Sequence, residues 1–208
     1  MNTPDPIEQL RKFWNERYSA QDYAYGEAPN GILAESRAHL PATGRALCLA
    51  EGEGRNAVWL AEQGLRVTAV DIAEQGMAKA RALAERRGVQ IETRVCDLRE
   101  FDPGVGAWEV IVSVFAHLPP QVRAEVHARC VQALVPGGVF AYIGYAPEQL
   151  GRGTGGPKEA ALLPDIADIE AEFAGLTCVH RAHGPRHISE GHFHTGDGWV
   201  NVWIGRKP

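Results

Sequence analysis

The apolar positions of this chain alternate between short unbroken runs and helically spaced stripes. Residues 46–50 form the first run and 67–71 the second, and each predicts a buried strand. Residues 89–96, 110–115 and 139–145 predict three more. The run 110–115 is β-branched with no polar alternation, as a parallel strand covered on both faces requires. Between the runs, residues 56–63 are helically spaced and end at Gly64, a suitable C-cap. Residues 74–87 place Met77, Ala80 and Ala84 on one helical face and stop at Gly88, and 120–134 predict a third helix before the sharp turn Pro136-Gly137-Gly138. Strands alternating with helices over short connections predict an α/β fold built on a doubly wound, Rossmann-like parallel sheet.

The flanks differ. Residues 7–18 carry Ile7, Leu10, Phe13 or Trp14, and Tyr18 at helical spacing, and 23–30 are an aromatic loop. Residues 32–40 return to helical spacing before Pro41. Residues 1–40 are therefore expected to cap a core of residues 41–208 within a single domain. After the fifth strand, 150–157 are glycine-rich and 164–173 helical. Residues 176–181 and 199–205 predict two further strands, a C-terminal antiparallel hairpin that completes a seven-stranded sheet.

Composition narrows the partners. The 208 residues are 45% hydrophobic with a net charge of −5, so no basic field gathers nucleic acid or an acidic membrane. No apolar run nears the roughly 18 residues of a membrane span. The stretch Met1–Pro6 lacks the basic and apolar parts of a signal peptide. Cys48, Cys96, Cys130 and Cys178 are scattered, with no C-x-x-C, which fits reduced thiols in a cytoplasmic protein. Oligomeric state is not legible.

The segment Leu47-Cys48-Leu49-Ala50-Glu51-Gly52-Glu53-Gly54-Arg55-Asn56-Ala57 carries the chemistry. It runs from a strand through a glycine-rich turn into a helix, where a ligand can lie against bare backbone. Gly52-x-Gly54-x-x-Ala57 fits a loose dinucleotide fingerprint, but Glu51 and Glu53 sit inside it. A unit charge about 6 Å from a pyrophosphate, at an effective dielectric near 20, costs on the order of 3 kcal/mol. The same charges favour a cation. S-adenosylmethionine carries a sulfonium and an ammonium and no phosphate, so a methyl donor ranks first and a nicotinamide, in an NAD(P)-dependent oxidoreductase, second. A binding module without turnover is a third reading.

Several motifs in order resemble a class I S-adenosylmethionine-dependent methyltransferase: the acidic glycine turn, a strand ending in Asp71, Cys96-Asp97-Leu98 after the third strand, and Leu134-Val135-Pro136-Gly137-Gly138 before the fifth. Trp14-Asn15-Glu16-Arg17-Tyr18, Tyr25-Gly26-Glu27-Ala28-Pro29-Asn30, Gly54-Arg55-Asn56 and Thr154-Gly155-Gly156-Pro157-Lys158 resemble its tellurite-resistance-related branch, kin to thiopurine methyltransferases. The first motif departs from that pattern. It has Cys48 where an acid is usual and Ala50 where a glycine is usual, the acid having moved to Glu51. The resemblance implies a small-molecule acceptor, with a soft sulfur, selenium or tellurium atom as the first choice.

Each candidate residue has a plainer alternative. Gly52 and Gly54, with Ala50, would hold the methionyl end of the cofactor or simply turn the chain. Glu51 would face the ammonium or sulfonium, and Glu53 would help or be solvated. Asp71 would accept both ribose hydroxyls or cap a helix. The resemblance places Ile72 on the adenine face, Asp97 on its amino group and Leu98 beside it, and a helix-start cap is the alternative for Asp97. Phe115 and His117 leave the fourth strand beside the donor methyl. His117 is the best-placed base, or merely bonds the strand end. The segment after Phe115 lacks both an Asn/Asp-Pro-Pro-aromatic tetrad and a Pro-Cys pair, which argues against a nucleic-acid substrate. Tyr18 and Tyr25 form a flap or core contacts, and Arg17 meets a cofactor carboxylate or a surface acid. Five of the eight histidines follow Cys178, and His194 would reach the acceptor pocket. His192 and His194 would share a strand face, but nothing completes a ligand set, so no metal is expected. The loop 151–158 is a gate or a plain excursion.

Overall fold

Every apolar run forms a strand, and the helical stripes between the parallel strands form the helices that cover the sheet. The computed structural model describes residues 5–208, so most of the Met1–Pro6 stretch lies outside the described residues. Strands β1 (Arg45–Leu49), β2 (Arg66–Asp71), β3 (Ile91–Val95), β4 (Trp108–Val114) and β5 (Leu134–Tyr145) pair in parallel. Strands β6 (Thr177–Glu190) and β7 (His194–Arg206) form an antiparallel hairpin whose β7 joins β5. The strand order is β3-β2-β1-β4-β5-β7-β6. The chain reverses direction across the sheet between β1 and β4, and their carboxyl ends flank the crevice where doubly wound folds bind ligands.

Alternate residues of the parallel strands feed two cores. Ala46, Cys48, Ala69, Val112 and Ala141 pack under helices α2 (Gly31–Glu35), α3 (Arg55–Glu62) and α4 (Glu74–Arg87). Leu47, Leu49, Ile111, Phe140 and Tyr142 pack on the other face under α5 (Pro120–Ala133) and α6 (Ile166–Glu172). Helix α1 (Pro6–Arg17) buries none of its side chains fully and rests against α4.

The C-terminal hairpin departs most from expectation. Its strands run far past 176–181 and 199–205. The added residues include Gly184, Pro185 and several histidines, and most of β6 is exposed, so no apolar alternation marked them. Pairing of β5 with β7 stops at Tyr145↔Val200, while β6 pairs with β7 out to Glu190↔His194. The overhanging strand 194–199 reaches about 20 Å beyond the carboxyl end of β5 at ~3.4 Å per residue. Two smaller differences concern ends. Helix α2 stops at Glu35 and tightens to a 3₁₀ turn over Ser36–His39, and Pro136-Gly137-Gly138 lies within β5 opposite a register shift at Trp108/Val110.

A buried ionic cluster fastens α6 to α5. The Glu172 carboxylate takes Arg123 at 2.8 Å and His127 Nδ1 at 2.6 Å, and both partner side chains are nearly inaccessible. Glu172→Ala leaves that guanidinium without its counter-ion. We expect a loss of about 3 kcal/mol in urea unfolding, and Glu172→Gln, which keeps an acceptor, to lose less.

Candidate active site

The glycine turn is held open by carboxylates from two elements. Glu51 Oε1 accepts the backbone N–H groups of Asn56 and Ala57, both at 2.8 Å, and so caps α3, whose Gly54 N-cap offers no side chain. Glu51 Oε1 is thus committed to the start of α3. Asp71 accepts from Gly52 N through Oδ2 and from Ala73 N through Oδ1, each at 2.8 Å. It ties β2 to the turn and is not the N-cap of α4, which is Ala73. Burial pushes Glu51 up to about 7 and Asp71 up to about 6, with their backbone donors opposing the rise.

Glu53 faces a different neighbour. Lys79 Nζ binds its Oε1 at 2.7 Å, while Oε2 is buried with no partner among the described residues. Tyr18, 5% exposed, lies over the turn, and a Cβ added at Gly52 (φ +66°) would fall 2.7 Å from the Tyr18 hydroxyl. Backbone and phenol can be this close only because residue 52 is glycine. Ala50 (φ +48°) and Phe115 (φ +53°) are left-handed although neither is glycine. They end β1 and β4 and flank the crevice, and such strain is concentrated at functional sites.

Asp97 and Leu98 follow β3 beside Asp71, whose carbonyl accepts from Cys96 N at 2.9 Å. The Asp97 carboxylate is clasped by Arg99, at 2.6 Å through Nη2, and opens a turn through Arg99 N. Burial raises its pKa, but the Arg99 hydrogen bonds prevail and hold it below the usual range. Leu98 is buried and Ile72 half-buried.

Past Phe115 the strand ends close into an aromatic box. Phe115 stacks on Tyr145 with ring centres 4.5 Å apart, and His194 meets Phe115 edge-on at 4.7 Å. His117 stacks on Tyr145 at 5.7 Å, and Tyr25 approaches His194 at 4.5 Å. Tyr25 also meets Tyr18 at 6.5 Å, which joins the box to the glycine turn. His117 and His194, 77 positions apart by their numbers (194 − 117), are thereby brought together. Burial lowers His117 to about 4 and His194 to about 3. Tyr145, fully buried, is pushed upward by the same cause. His192 lies in the turn before β7 and donates its N–H to Ala24 O, so the shared strand face expected with His194 does not form.

The aromatic loop 23–30 is tied to the hairpin tip by Arg55, Asn30, Asn56 and Glu190. Arg55 pairs with Glu190 at 2.6 Å and donates to Tyr25 O. Glu190 Oε1 accepts from Asn30 Nδ2 and Gly31 N, and Asn56 Oδ1 accepts from Asn30 N. The motifs at 28–30 and 54–56 therefore meet at the hairpin tip. Arg17 lies 3.8 Å over the Phe193 ring. An outer cleft of about 520 Å³, lined in part by Phe13, Arg17, Ala24 and Phe193, sits beside this loop and not over Gly52 or Asp71.

Residues 46–138 match the family described as Methyltransferase domain. The ubiquinone biosynthesis O-methyltransferase of Paramagnetospirillum magneticum is 37% identical over 83 residues, which are 39% of this chain and 32% of that protein, so the chain matches only about a third of that relative's length. Among solved structures, NodS from Bradyrhizobium japonicum, an N-methyltransferase in complex with S-adenosylhomocysteine, superposes with a TM-score of 0.63 at 18% identity, over 99% of this chain and 89% of that one. TehB from Haemophilus influenzae gives 0.70 at 15% identity, over 95% and 67%. The cyclase SpnF gives 0.72 at 13% identity, over 100% and 98%. Likeness this remote carries the fold alone. Residues 46–138 thus match a methyltransferase domain, and the fold is shared with a methyltransferase solved with S-adenosylhomocysteine, whose methyl-bearing form, S-adenosylmethionine, carries a sulfonium and an ammonium. The residues at the turn fit that cation, with a glycine cradle under Tyr18 and one Glu53 oxygen left to accept.

Tyr145 and Glu190 were missed. An aromatic at a strand end was the one available signal for Tyr145, and an isolated acid in a polar segment gave none for Glu190. The buried groups act on stability in opposite directions. Glu51 and Asp71, raised above their unfolded values of 4.5 and 3.8, lose stability as pH rises to about 7 and about 6. His117 and His194, lowered from 6.5 to about 4 and about 3, gain stability as pH rises toward 6.5. Glu51→Gln removes one falling contribution. Its unfolding free energy should climb more steeply than the parent's between pH 4.5 and 6.5, by up to about 1.4 kcal/mol per pH unit; denaturant titration across pH checks this.

Proposed function

We propose that this chain moves a methyl group onto a small molecule seated at the aromatic box. The supporting observation is adjacency: Tyr25 meets both Tyr18, which lies over the glycine turn, and His194 of the aromatic box. In this reading Ala50, Gly52, Gly54 and Tyr18 hold the methionyl end, with Glu53 accepting from the ammonium and Glu51 acting through α3. Asp71 and Ile72 take the ribose and adenine, Asp97 and Leu98 the adenine edge, and Phe115 the reacting end. Asp71 keeps lone pairs free beyond its two backbone bonds. When bound, S-adenosylmethionine supplies an electrophilic methyl group. The protein's own residues align the acceptor and exclude water, an effect that supports roughly 7 to 11 kcal/mol of rate enhancement.

The motif resemblance suggests a soft acceptor of sulfur, selenium or tellurium. The name of the O-methyltransferase relative suggests oxygen, and the histidines His117 and His194 suit an acceptor that must shed a proton. The net charge of −5 disfavours nucleic acid as substrate.

Calorimetric titration tests this reading. S-adenosylhomocysteine should bind and NAD should not. Gly52→Ala forces Tyr18 aside and strains a left-handed residue by about 1–2 kcal/mol. It should weaken S-adenosylhomocysteine binding at least tenfold. Tight NAD binding with no response to S-adenosylhomocysteine would reverse the assignment. Release of labelled methyl groups onto any small molecule separates an enzyme from a binding module.

A further inference from the structure

Three polar atoms inside the aromatic box have no hydrogen-bond partner among the described residues: His117 Nε2, His194 Nδ1 and Tyr145 Oη. Tyr145 is 0% and His194 7% exposed. A buried donor or acceptor left unmade is costly, so three in one chamber call for a shared partner. His117 Nε2 has no partner, and a neutral imidazole can carry its lone pair there. Tyr145, protonated at neutral pH, offers an O–H. The neighbouring Arg55–Glu190 pair is internally neutral, and Arg17 packs over the Phe193 ring.

Resting on the methyltransferase reading, we propose that the box accepts an uncharged planar compound bearing a ring hydroxyl, with His117 Nε2 taking the hydroxyl proton and Tyr145 Oη donating to the same oxygen. As the acceptor oxygen gains the methyl group, its O–H bond breaks and the proton moves to Nε2. The electron pair of the severed carbon–sulfur bond stays on sulfur, so the positive charge passes from sulfonium to imidazolium and is lost to water as a proton. The acceptor proton becomes strongly acidic only while the carbon–oxygen bond forms, so a weakly basic imidazole suffices. A thiolate or selenolate has no proton to give and leaves Nε2 unpaired.

The rings touch one another, so access requires movement of a wall. The loop 151–158 is the wall built to move. A Cβ at Gly155 would fall 2.8 Å from Tyr145 Oη and 2.9 Å from His194 Cδ2, so this loop lies directly on the box. Gln149, 2% exposed, latches it through Thr154 Oγ1 at 3.0 Å and Gly155 O at 2.9 Å, while accepting from Trp199 N.

The test uses the full chain with labelled S-adenosylmethionine and matched pairs: phenol and benzenethiol, 2-naphthol and 2-naphthalenethiol, 8-hydroxyquinoline and 8-mercaptoquinoline. At least one hydroxyl member should be methylated. For it, His117→Gln should lower kcat 10²-fold or more, within the range of a lost general base, with S-adenosylhomocysteine affinity unchanged. Tyr145→Phe should weaken calorimetric binding of the hydroxyl compound about tenfold with a smaller change in kcat. Methylation of thiols alone, or a His117→Gln variant with undiminished hydroxyl turnover, overturns the inference and leaves the methyltransferase reading standing. So does methylation of neither series while S-adenosylhomocysteine still binds. Failure of S-adenosylhomocysteine to bind the parent chain removes both.

Discussion

A turn that bares its backbone to a ligand has no strand or helix partner for its own N–H groups. Here two buried carboxylates meet that demand. Asp71 accepts from Gly52 and Ala73, and Glu51 accepts from Asn56 and Ala57. Removing either acceptor would orphan donors inside a dry crevice, where each is costly. These four bonds fix where α3 begins, how far β2 reaches, and how closely Tyr18 approaches Gly52. The carboxylates themselves remain difficult to bury, which is why both are pushed toward the neutral form. The turn is preorganised at the expense of intrinsic stability, as functional sites commonly are.

The second constraint is the overhang of the C-terminal hairpin. A parallel strand ends where its sheet ends, and the carboxyl edge would otherwise be open to solvent. Because β6 and β7 pair with each other beyond Tyr145↔Val200, they carry Glu190, Phe193 and His194 over that edge. Arg55, the first residue of α3, then fastens the hairpin tip through Glu190. One short segment, 51–56, thus shapes the turn, starts a helix and anchors the roof. The glycine turn and the hairpin roof therefore share one anchor.

The sequence carried the parallel core almost whole. Strands 46–50, 67–71 and 110–115 were legible because burial on both faces leaves unbroken apolar runs, and α4 because Gly88 stops it. The hairpin was not, since a ribbon lying largely in solvent has no reason to alternate. At the site, Gly52, Asp71 and Phe115 were legible as candidates because turn chemistry and strand ends are local. The helix-capping bonds of Glu51 were not legible. Its carboxylate reaches five residues along the chain to a helix N-terminus, a contact set by the depth of the turn and invisible to spacing alone. Tyr145 became meaningful only with His117 and His194 beside it, which three separate strands bring about.

The electrostatic argument changes shape with the structure. From sequence, two adjacent acids oppose a phosphate and favour a cation. In the fold, Glu51 is committed to α3 and Lys79 neutralises one oxygen of Glu53, so the local field is weaker than two free charges. What discriminates instead is hydrogen-bonding capacity. A phosphate brings only acceptors, and three of the segment's N–H groups, at Gly52, Asn56 and Ala57, are already taken by carboxylates. An ammonium brings donors, and the unpaired oxygen of Glu53 is an acceptor. The proposed preference for a methyl donor over a dinucleotide thus draws on the open acceptor at Glu53 and on donors already engaged by Asp71 and Glu51, and buried contacts of this kind are screened by salt far less than exposed net charge.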